Sequence, residues 1–385
     1  MRVAHVITRM IVGGAQENTF YNCRDLVEQF GDEVLLITGP SPGPEGALLE
    51  QAQAAFPVAV IPTLNRAINP FRDWHAYREI KRHLREFRPD VVHTHSAKGG
   101  ILGRLAAAAL QVPAIVHTVH GAPFGPYEPW WRSKFYQACE WYAGQKCHAL
   151  ISVADAMTEL LVNAKIAPRE KFTTIYSGME VEPFLESAKL REDYRRRLGF
   201  SENDIVVAKI ARLFPLKGHP DLLAAAAVAI QKVPQLQFLL IGDGILRGQF
   251  EQQIAARGLD AHFKFTGLVP PAEIPGYLAA SEMLVHTSLR EGLPRTLPQA
   301  LLAGKPVIAY DIDGAREVTL PKQTGILLAA GDIAGLAAAI VELANDPSQR
   351  QAYGLQGREQ CREKFRHETM TAEIRRVYQR LLQAS

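Results

Sequence analysis

Short apolar runs rich in β-branched residues recur along the chain, separated by segments that carry apolar residues at helical spacing. In the first half the runs are Val3–Ile7, Val34–Thr38, Val58–Ile61, Val91–Thr94, Ile115–Val119, Ala149–Val153 and Phe172–Tyr176. Gln16–Phe30, Trp74–Arg88 and Trp131–Gly144 are among the helical segments between them. Apolar runs without strict alternation belong to strands covered on both faces, as in a parallel sheet with crossover helices. The second half repeats the scheme at Ile205–Ile210, Gln237–Ile241, Phe263–Thr266, Met283–His286 and Val307–Tyr310. No sequence repeat relates the halves. The 385 residues suit about two or three domains. The expectation is an α/β chain with doubly wound domains over 1–177 and 178–364. Residues 178–204 read as the connector, and Phe365–Leu382 as a closing helix within 365–385.

Charge and cysteine content narrow the function classes. Lys and Arg number 43 against 40 Asp and Glu, leaving +3. That is too little for a nucleic-acid binder, so any positive charge that matters is local. Cys23, Cys139, Cys147 and Cys361 have neither zinc-type spacing nor a disulfide framework, and read as reduced thiols. Met-Arg-Val-Ala-His-Val-Ile-Thr reads as a strand entering a glycine turn, not a leader. The longest apolar stretch, Leu222 to Ile230, is far short of the ~20 residues of a membrane span. A cytoplasmic protein is expected.

Doubly wound sheets bind ligands at the carboxyl ends of their strands, so the strand-end loops are where chemistry is sought. After the first run come Gly13 and Gly14, where a bare backbone can approach an anion at a helix start. A plain tight turn is equally compatible. His93, His95, His117 and His120 lie near two successive strand ends. A metal site is the lesser reading, because no Asp, Glu or Cys accompanies them at ligand spacing. His120, before Gly-Ala-Pro, is the one expected to face a ligand.

The second half supplies the charges. Arg212 and Lys217 flank Leu-Phe-Pro-Leu after the strand Ile205–Ile210, an arrangement suited to a diphosphate. Gly242-Asp243-Gly244 lacks the third glycine of a dinucleotide fingerprint and reads as a close-approach turn. In Ser288-Leu-Arg-Glu-Gly-Leu-Pro-Arg-Thr-Leu-Pro-Gln299, Glu291 is placed to accept from sugar hydroxyls. Gly292 and Leu293 are expected to offer N–H groups at a helix start. Gln299, eight residues after Glu291, is expected two helical turns further on and facing the same ligand.

In this order and spacing the blocks resemble the family-4 glycosyltransferases of the GT-B fold. The blocks are Gly-Gly-Ala-Gln, His-Thr-His-Ser-Ala-Lys-Gly, His120-Gly121, Ser177-Gly178-Met179, Arg212…Lys217-Gly218, Ile-Gly-Asp-Gly and Glu291-Gly-Leu-Pro. The resemblance implies two Rossmann-like domains facing across a cleft, with the last helix crossing back to the first domain. It implies retaining transfer of a hexosyl or N-acetylhexosaminyl unit from a nucleotide-sugar, a UDP-sugar being expected, without a catalytic metal. Glycan and lipid-linked acceptors are typical of such relatives. Gly14 would meet the donor diphosphate, and Arg212 with Lys217 would neutralise it as it leaves. Glu291, Gly292 and Leu293 would hold the sugar, His120 would touch it near the reacting carbon, and Leu268 and Val269 would lie against the base. Gln299 stands where the family commonly has a second Glu for the ribose.

Other signals compete. Asp311-Ile312-Asp313 mimics a metal-binding Asp-x-Asp but sits in a strand-end loop of GT-B type. In segment 72–88, Trp74, Tyr77, Ile80, Leu84 and Phe87 form one stripe opposite Arg and Lys. That pattern fits an interfacial membrane helix and, more commonly, a sheet-covering helix. A nucleotide-sugar epimerase and a non-catalytic nucleotide-sugar-binding protein are the alternatives in function.

Overall fold

The computed structural model describes residues 1–41 and 46–384. They divide into two compact units, one of Met1–Met179 with the chain from Phe365 onward, the other of Glu180–Lys364. The division falls two residues beyond the expected 177/178 seam.

The first unit is built on β1 (Arg2–Arg9), β2 (Glu33–Gly39), β3 (Val58–Val60), β4 (Val91–His95), β5 (Ala114–Val119), β6 (Ala149–Ser152) and β7 (Phe172–Thr174). All seven are parallel, in the order β3-β2-β1-β4-β5-β6-β7. The second unit has β8 (Ile205–Ile210), β9 (Leu236–Ile241), β10 (Phe263–Gly267), β11 (Met283–His286), β12 (Val307–Tyr310) and β13 (Gly325–Leu328). These are also parallel, ordered β10-β9-β8-β11-β12-β13. Each order reverses direction once, at β1/β4 in the first unit and at β8/β11 in the second. Loops part on either side of such a switch point and leave a crevice at the strand ends. The expected strands are all present within a residue or two, and β13 is additional.

Helices pack on both faces, and side-chain pattern explains the choice of face. The helix Pro70–Phe87 starts with Asn69 accepting from the Arg72 N–H at 3.1 Å, a cap followed by proline in the first turn. It buries Ala76, Ile80 and Leu84. The apolar stripe read from 72–88 is thus largely spent on covering the sheet, with Trp74 its one exposed member. The charged connector is also not a linker. Residues Glu182–Leu185 and Arg191–Leu198 are helical, and Arg195 Nη1 lies 3.2 Å from Glu282 Oε1, which also bonds Arg191. Arginine-rich composition reads as solvated, yet here it docks onto a partly buried carboxylate.

The closing helix spans His367–Gln383, two residues short of its expected start. Met370, Ile374, Val377 and Tyr378 complete the core formed by Val3, Ile7, Val34, Leu36 and Val116. Polar pairs fix its register. Asp25 on the helix Gly14–Glu28 accepts from Thr371 at 2.9 Å and meets His367 Nδ1 at 2.8 Å, and Arg375 Nε donates to Asp32 at 2.8 Å. The Met179 N–H donates to the Phe365 carbonyl at 2.8 Å. A Cβ on Gly178 would come within 2.4 Å of His367 Cα, so the approach of these two segments requires glycine. Among the described residues no helix is long and apolar enough to cross a membrane.

Candidate active site

In the second unit the loops after β8 and β11 meet at the switch point. The Leu289 N–H donates to the Leu216 carbonyl at 2.8 Å, and the Thr287 hydroxyl donates to the Gly218 carbonyl at 2.7 Å. Gly218 has φ +64°, and a Cβ there would lie 1.9 Å from the Thr287 oxygen, so the closeness of the loops depends on glycine. The result is a contact between Lys217 Nζ and Glu291 Oε1 at 2.5 Å. His286 Nε2 lies 3.6 Å from the same oxygen. Burial works against ionisation of Glu291, but the His286 imidazole and the Lys217 ammonium outweigh it and bring the carboxyl to about 2. Burial depresses His286, which leaves a neutral ring beside an ionised carboxylate.

Arg212 lies on the same β8 loop, exposed, with its guanidinium 5.1 Å from the Phe214 ring. Among the described residues no carboxylate pairs with it. Its carbonyl accepts from His219 Nε2 at 3.1 Å. The structure therefore joins Lys217 and Glu291 at one strand end and places Arg212 on the same β8 loop, five residues before Lys217.

The neighbouring turn braces this loop. Gly242 has φ +134° and its N–H donates to the Gly267 carbonyl at 3.1 Å, while the Leu213 N–H donates to the Asp243 carbonyl at 2.9 Å. The Asp243 carboxylate accepts from the Gly244 N–H at 2.7 Å and from Arg247 at 3.2 Å. Leu268 is exposed and Val269 half-buried on the turn after β10.

Two expectations about the 290s need correction. The helix there is Thr296–Leu302, so Gly292 and Leu293 precede it by several residues and do not stand at its start. Glu291 and Gln299 are likewise not two turns apart on one helix, because residues 291–295 are non-helical. Pro294 disfavours helix in the residues before it, while Pro298 sits in the first turn of Thr296–Leu302, where proline is tolerated. Gly292 instead lends its carbonyl to the Gly314 N–H at 3.3 Å. Gln299 is half-buried on the short helix.

Of three further residues at this site, Asp313 reads in the sequence only as half of an apparent metal motif, and Lys209 and His286 carry no functional reading there. Asp313, at φ +45°, accepts from the Glu291 N–H at 2.6 Å and ties the β12 loop to the β11 loop. Asp311 is engaged bidentately by Arg316, at 2.9 and 2.5 Å. The two aspartates of the apparent Asp-x-Asp thus have separate structural partners. Lys209, in β8, is wholly buried and donates to Thr287 Oγ1 at 2.7 Å. Burial, reinforced by the Lys217 charge, brings it down to about 7. The third is His286, for which a histidine closing an apolar strand was the only signal.

In the first unit, Gly13 caps the helix Gly14–Glu28 and its carbonyl accepts from the Glu17 N–H at 2.9 Å. Gly14 is exposed at the first turn, on the loop after β1. Across the switch point, His5 pairs with His93 in register and sits beside His95. His5 Nδ1 lies 3.0 Å from His95 Nε2, and His95 Nδ1 lies 3.1 Å from His120 Nε2. His93 bonds the Tyr378 hydroxyl at 2.5 Å and Thr118 Oγ1 at 2.7 Å. Ligand-type nitrogens of His5, His93 and His95 lie within 4.8 Å of one another. Both nitrogens of His93 and both of His95 already have hydrogen-bond partners, so a cation taking one nitrogen from each ring would have to displace a bond at each of them.

Residues 12–183 match the family described as Glycosyltransferase Family 4, and residues 191–360 match Glycosyl transferases group 1. The chain belongs to the family-4 glycosyltransferases of the GT-B fold. A galactosyltransferase of Escherichia coli, UDP-Gal:alpha-D-GlcNAc-diphosphoundecaprenol alpha-1,3-galactosyltransferase, is 29% identical over 90% of this chain and 88% of its own length. The Staphylococcus aureus capsular polysaccharide biosynthesis glycosyltransferase CapM is 24% identical over 85% of this chain and 86% of its own. Among solved structures, Anabaena HepE in complex with UDP and glucose superposes with a TM-score of 0.82 at 24% identity, covering 98% of this chain and 99% of that one. A sucrose-phosphate synthase of Thermosynechococcus elongatus gives 0.83 at 19% identity, over 100% and 99% of the two chains. As a glycosyltransferase, the protein needs a donor site able to carry the negative charge of a nucleotide-sugar, and the crevice at β8/β11 is where its cations are.

Proposed function

We propose that this glycosyltransferase moves a hexosyl or N-acetylhexosaminyl unit from a UDP-sugar to a glycan or lipid-linked acceptor, with retention and without a catalytic metal. The observation that carries the proposal is the Lys217–Glu291 contact at the β8/β11 switch point, with Arg212 exposed on the same β8 loop. A cation fixed on an ionised carboxylate, with a second on the same loop, suits a diphosphate leaving group joined to a hydroxyl-bearing sugar. The Escherichia coli relative uses UDP-Gal and a diphosphoundecaprenol-linked acceptor, and HepE was solved with UDP and glucose. Both favour a UDP-sugar, and the former favours a lipid-linked acceptor.

In this mechanism Arg212 and Lys217 neutralise the diphosphate as the C1–O bond breaks. Lys217 has three N–H donors and reaches the diphosphate while still bonded to Glu291. Glu291, with the Gly292 and Leu293 backbone, receives the sugar hydroxyls. A carboxylate at about 2 is a weak base and a weak nucleophile, which fits a holding role. The acceptor oxygen attacks on the face the diphosphate leaves, and its proton passes to the departing diphosphate oxygen. Gly14 offers its backbone to the diphosphate from a turn opened by Gly13, and His120 contacts the sugar. Leu268 and Val269 lie against the base, Gln299 bonds the ribose, and Gly242 with Asp243 keeps the Arg212 loop in place.

The test is nucleotide release from a panel of UDP-, GDP- and ADP-sugars in excess EDTA, with glycan and lipid-linked acceptors. Release from a UDP-sugar, undiminished by EDTA, is expected. Activity lost in EDTA and restored by Mn²⁺ would overturn the metal-free mechanism.

A further inference from the structure

Lys209 stands near the carboxyl end of β8 with its side chain wholly buried. Its Nζ lies 2.7 Å from Thr287 Oγ1, which in turn lies 2.7 Å from the Gly218 carbonyl and 3.3 Å from that of Lys217. A carbonyl can only accept, so the Thr287 hydrogen is committed to the β8 loop and Nζ donates to the hydroxyl oxygen. One hydroxyl thus separates the Lys209 amine from the main chain of Lys217. Thr287 is the one hydrogen-bond partner of that amine among the described residues. An ammonium has three donors, more than this packing matches with acceptors, and burial brings the group to about 7.

The charged groups that face Lys209 leave no surplus of positive charge. Lys217 and Glu291 pair with one another, and their charges largely cancel for an approaching anion. Asp221, on the helix His219–Lys232, accepts from the Tyr310 hydroxyl at 2.9 Å and adds a negative charge. His219 and His286 are held below the ordinary histidine range by burial and are neutral. A diphosphate ester brings a negative charge on each phosphate to this strand end. Beside Lys217 it would offset the repulsion that Lys217 exerts on Lys209 and add an attraction of its own, which makes the protonated amine the favoured form.

We propose that Lys209 is a further determinant of donor binding: as a nucleoside-diphosphate sugar binds at Lys217, the buried Lys209 amine takes up one proton from solvent and becomes an additional cation beneath the diphosphate. This deepens the reading of the β8/β11 strand end as the donor site and rests on it. Donor affinity then depends on pH. It is highest below about pH 7, where Lys209 is charged with or without ligand. It falls as pH rises through the higher value of the bound state, above which the amine is neutral in both.

Calorimetric titration of UDP-glucose into the full chain between pH 6 and pH 8.5 tests it, since the diphosphate of that ligand does not titrate in this range. Wild-type affinity is expected to be about tenfold higher at pH 6 than at pH 8.5. At pH 7.5 the heats in two buffers of unlike ionisation enthalpy should report uptake of a fraction of a proton. In Lys209→Met, where Thr287 keeps its bond to Gly218, affinity is expected to be flat across the range, at the alkaline level of the wild type, with no buffer-dependent heat. Lys209→Gln, which can still donate to Thr287 but takes no proton, is expected to behave as Lys209→Met does. Wild-type affinity that is the same at pH 6 and pH 8.5 would overturn the proposal, as would a pH dependence that survives in either variant. A wild type that binds no UDP-glucose at any of these pH values would overturn the donor reading itself, and the proposal with it.

Discussion

A lysine inside an apolar strand is the residue whose presence costs this fold most visibly. Lys209 faces Thr287 from β8 with its ammonium fully buried, and desolvation brings it to about 7 from the usual 10.5. The unfolded chain keeps that proton up to about pH 10.5, so folding is penalised below it, fully so below about pH 7 and less as pH rises. Lys209→Met should therefore raise the melting temperature, on the order of several degrees at pH 6 and less at pH 9. An equal gain at both pH values would contradict the assignment. In Ile-Val-Val-Ala-Lys-Ile the lysine reads as an incident of a strand, because nothing local reports that β11 will place Thr287 opposite it. Arg212, Lys217 and Glu291 were legible for the converse reason. They sit in Pro- and Gly-bearing loops after strands, where charge has no packing role to play.

At the scale of elements, the strands were readable almost to their ends, since burial on both faces imposes a continuous apolar run. What was misread depends on partners distant in sequence. The Arg-rich 191–198 reads as linker until Glu282 is known to receive it, and 291–299 reads as one helix until its prolines are weighed. The basic helix 70–87 reads as amphipathic but spends Ile80 and Leu84 on the sheet. Exposed apolar surface lies at the first turns of that helix and on the helix Trp130–Gly144 of the same layer. Phe71 is 83% exposed and Trp130 78%, and Trp74, Trp131, Phe135, Trp141 and Tyr142 are exposed with them. Helices 70–87 and Trp130–Gly144 flank Ala97–Ala109. Arg72, Arg132, Lys134 and Lys146 are interspersed among the aromatics. Aromatic side chains mixed with cations suit an anionic lipid interface, which a lipid-linked acceptor would require. The protein should sediment with anionic vesicles at low salt, and W130S/W131S should bind at least about tenfold more weakly. Wild type that stays in the supernatant would contradict this surface assignment.

Across the whole molecule, one architectural rule places the chemistry twice. Each unit is an open parallel sheet with a single reversal in strand order, and the candidate residues flank that reversal in both. Gly13, Gly14 and the His5–His95 pair lie at β1/β4. Arg212, Lys217 and Glu291 lie at β8/β11. The near-neutral net charge of +3 conceals this placement, because a few cations in strand-end loops suffice for a diphosphate.

The central claim is that fixed cations of this chain, and not a divalent ion, hold that diphosphate. Calorimetric titration of UDP in excess EDTA, on wild type and on Lys217→Ala, tests it most directly. The account predicts binding unaffected by EDTA and weakened at least about tenfold in Lys217→Ala, in a variant that still folds with a melting temperature lowered by the loss of the Glu291 ion pair. UDP binding that disappears in EDTA and returns with Mn²⁺, or that is as tight in Lys217→Ala as in wild type, would contradict it.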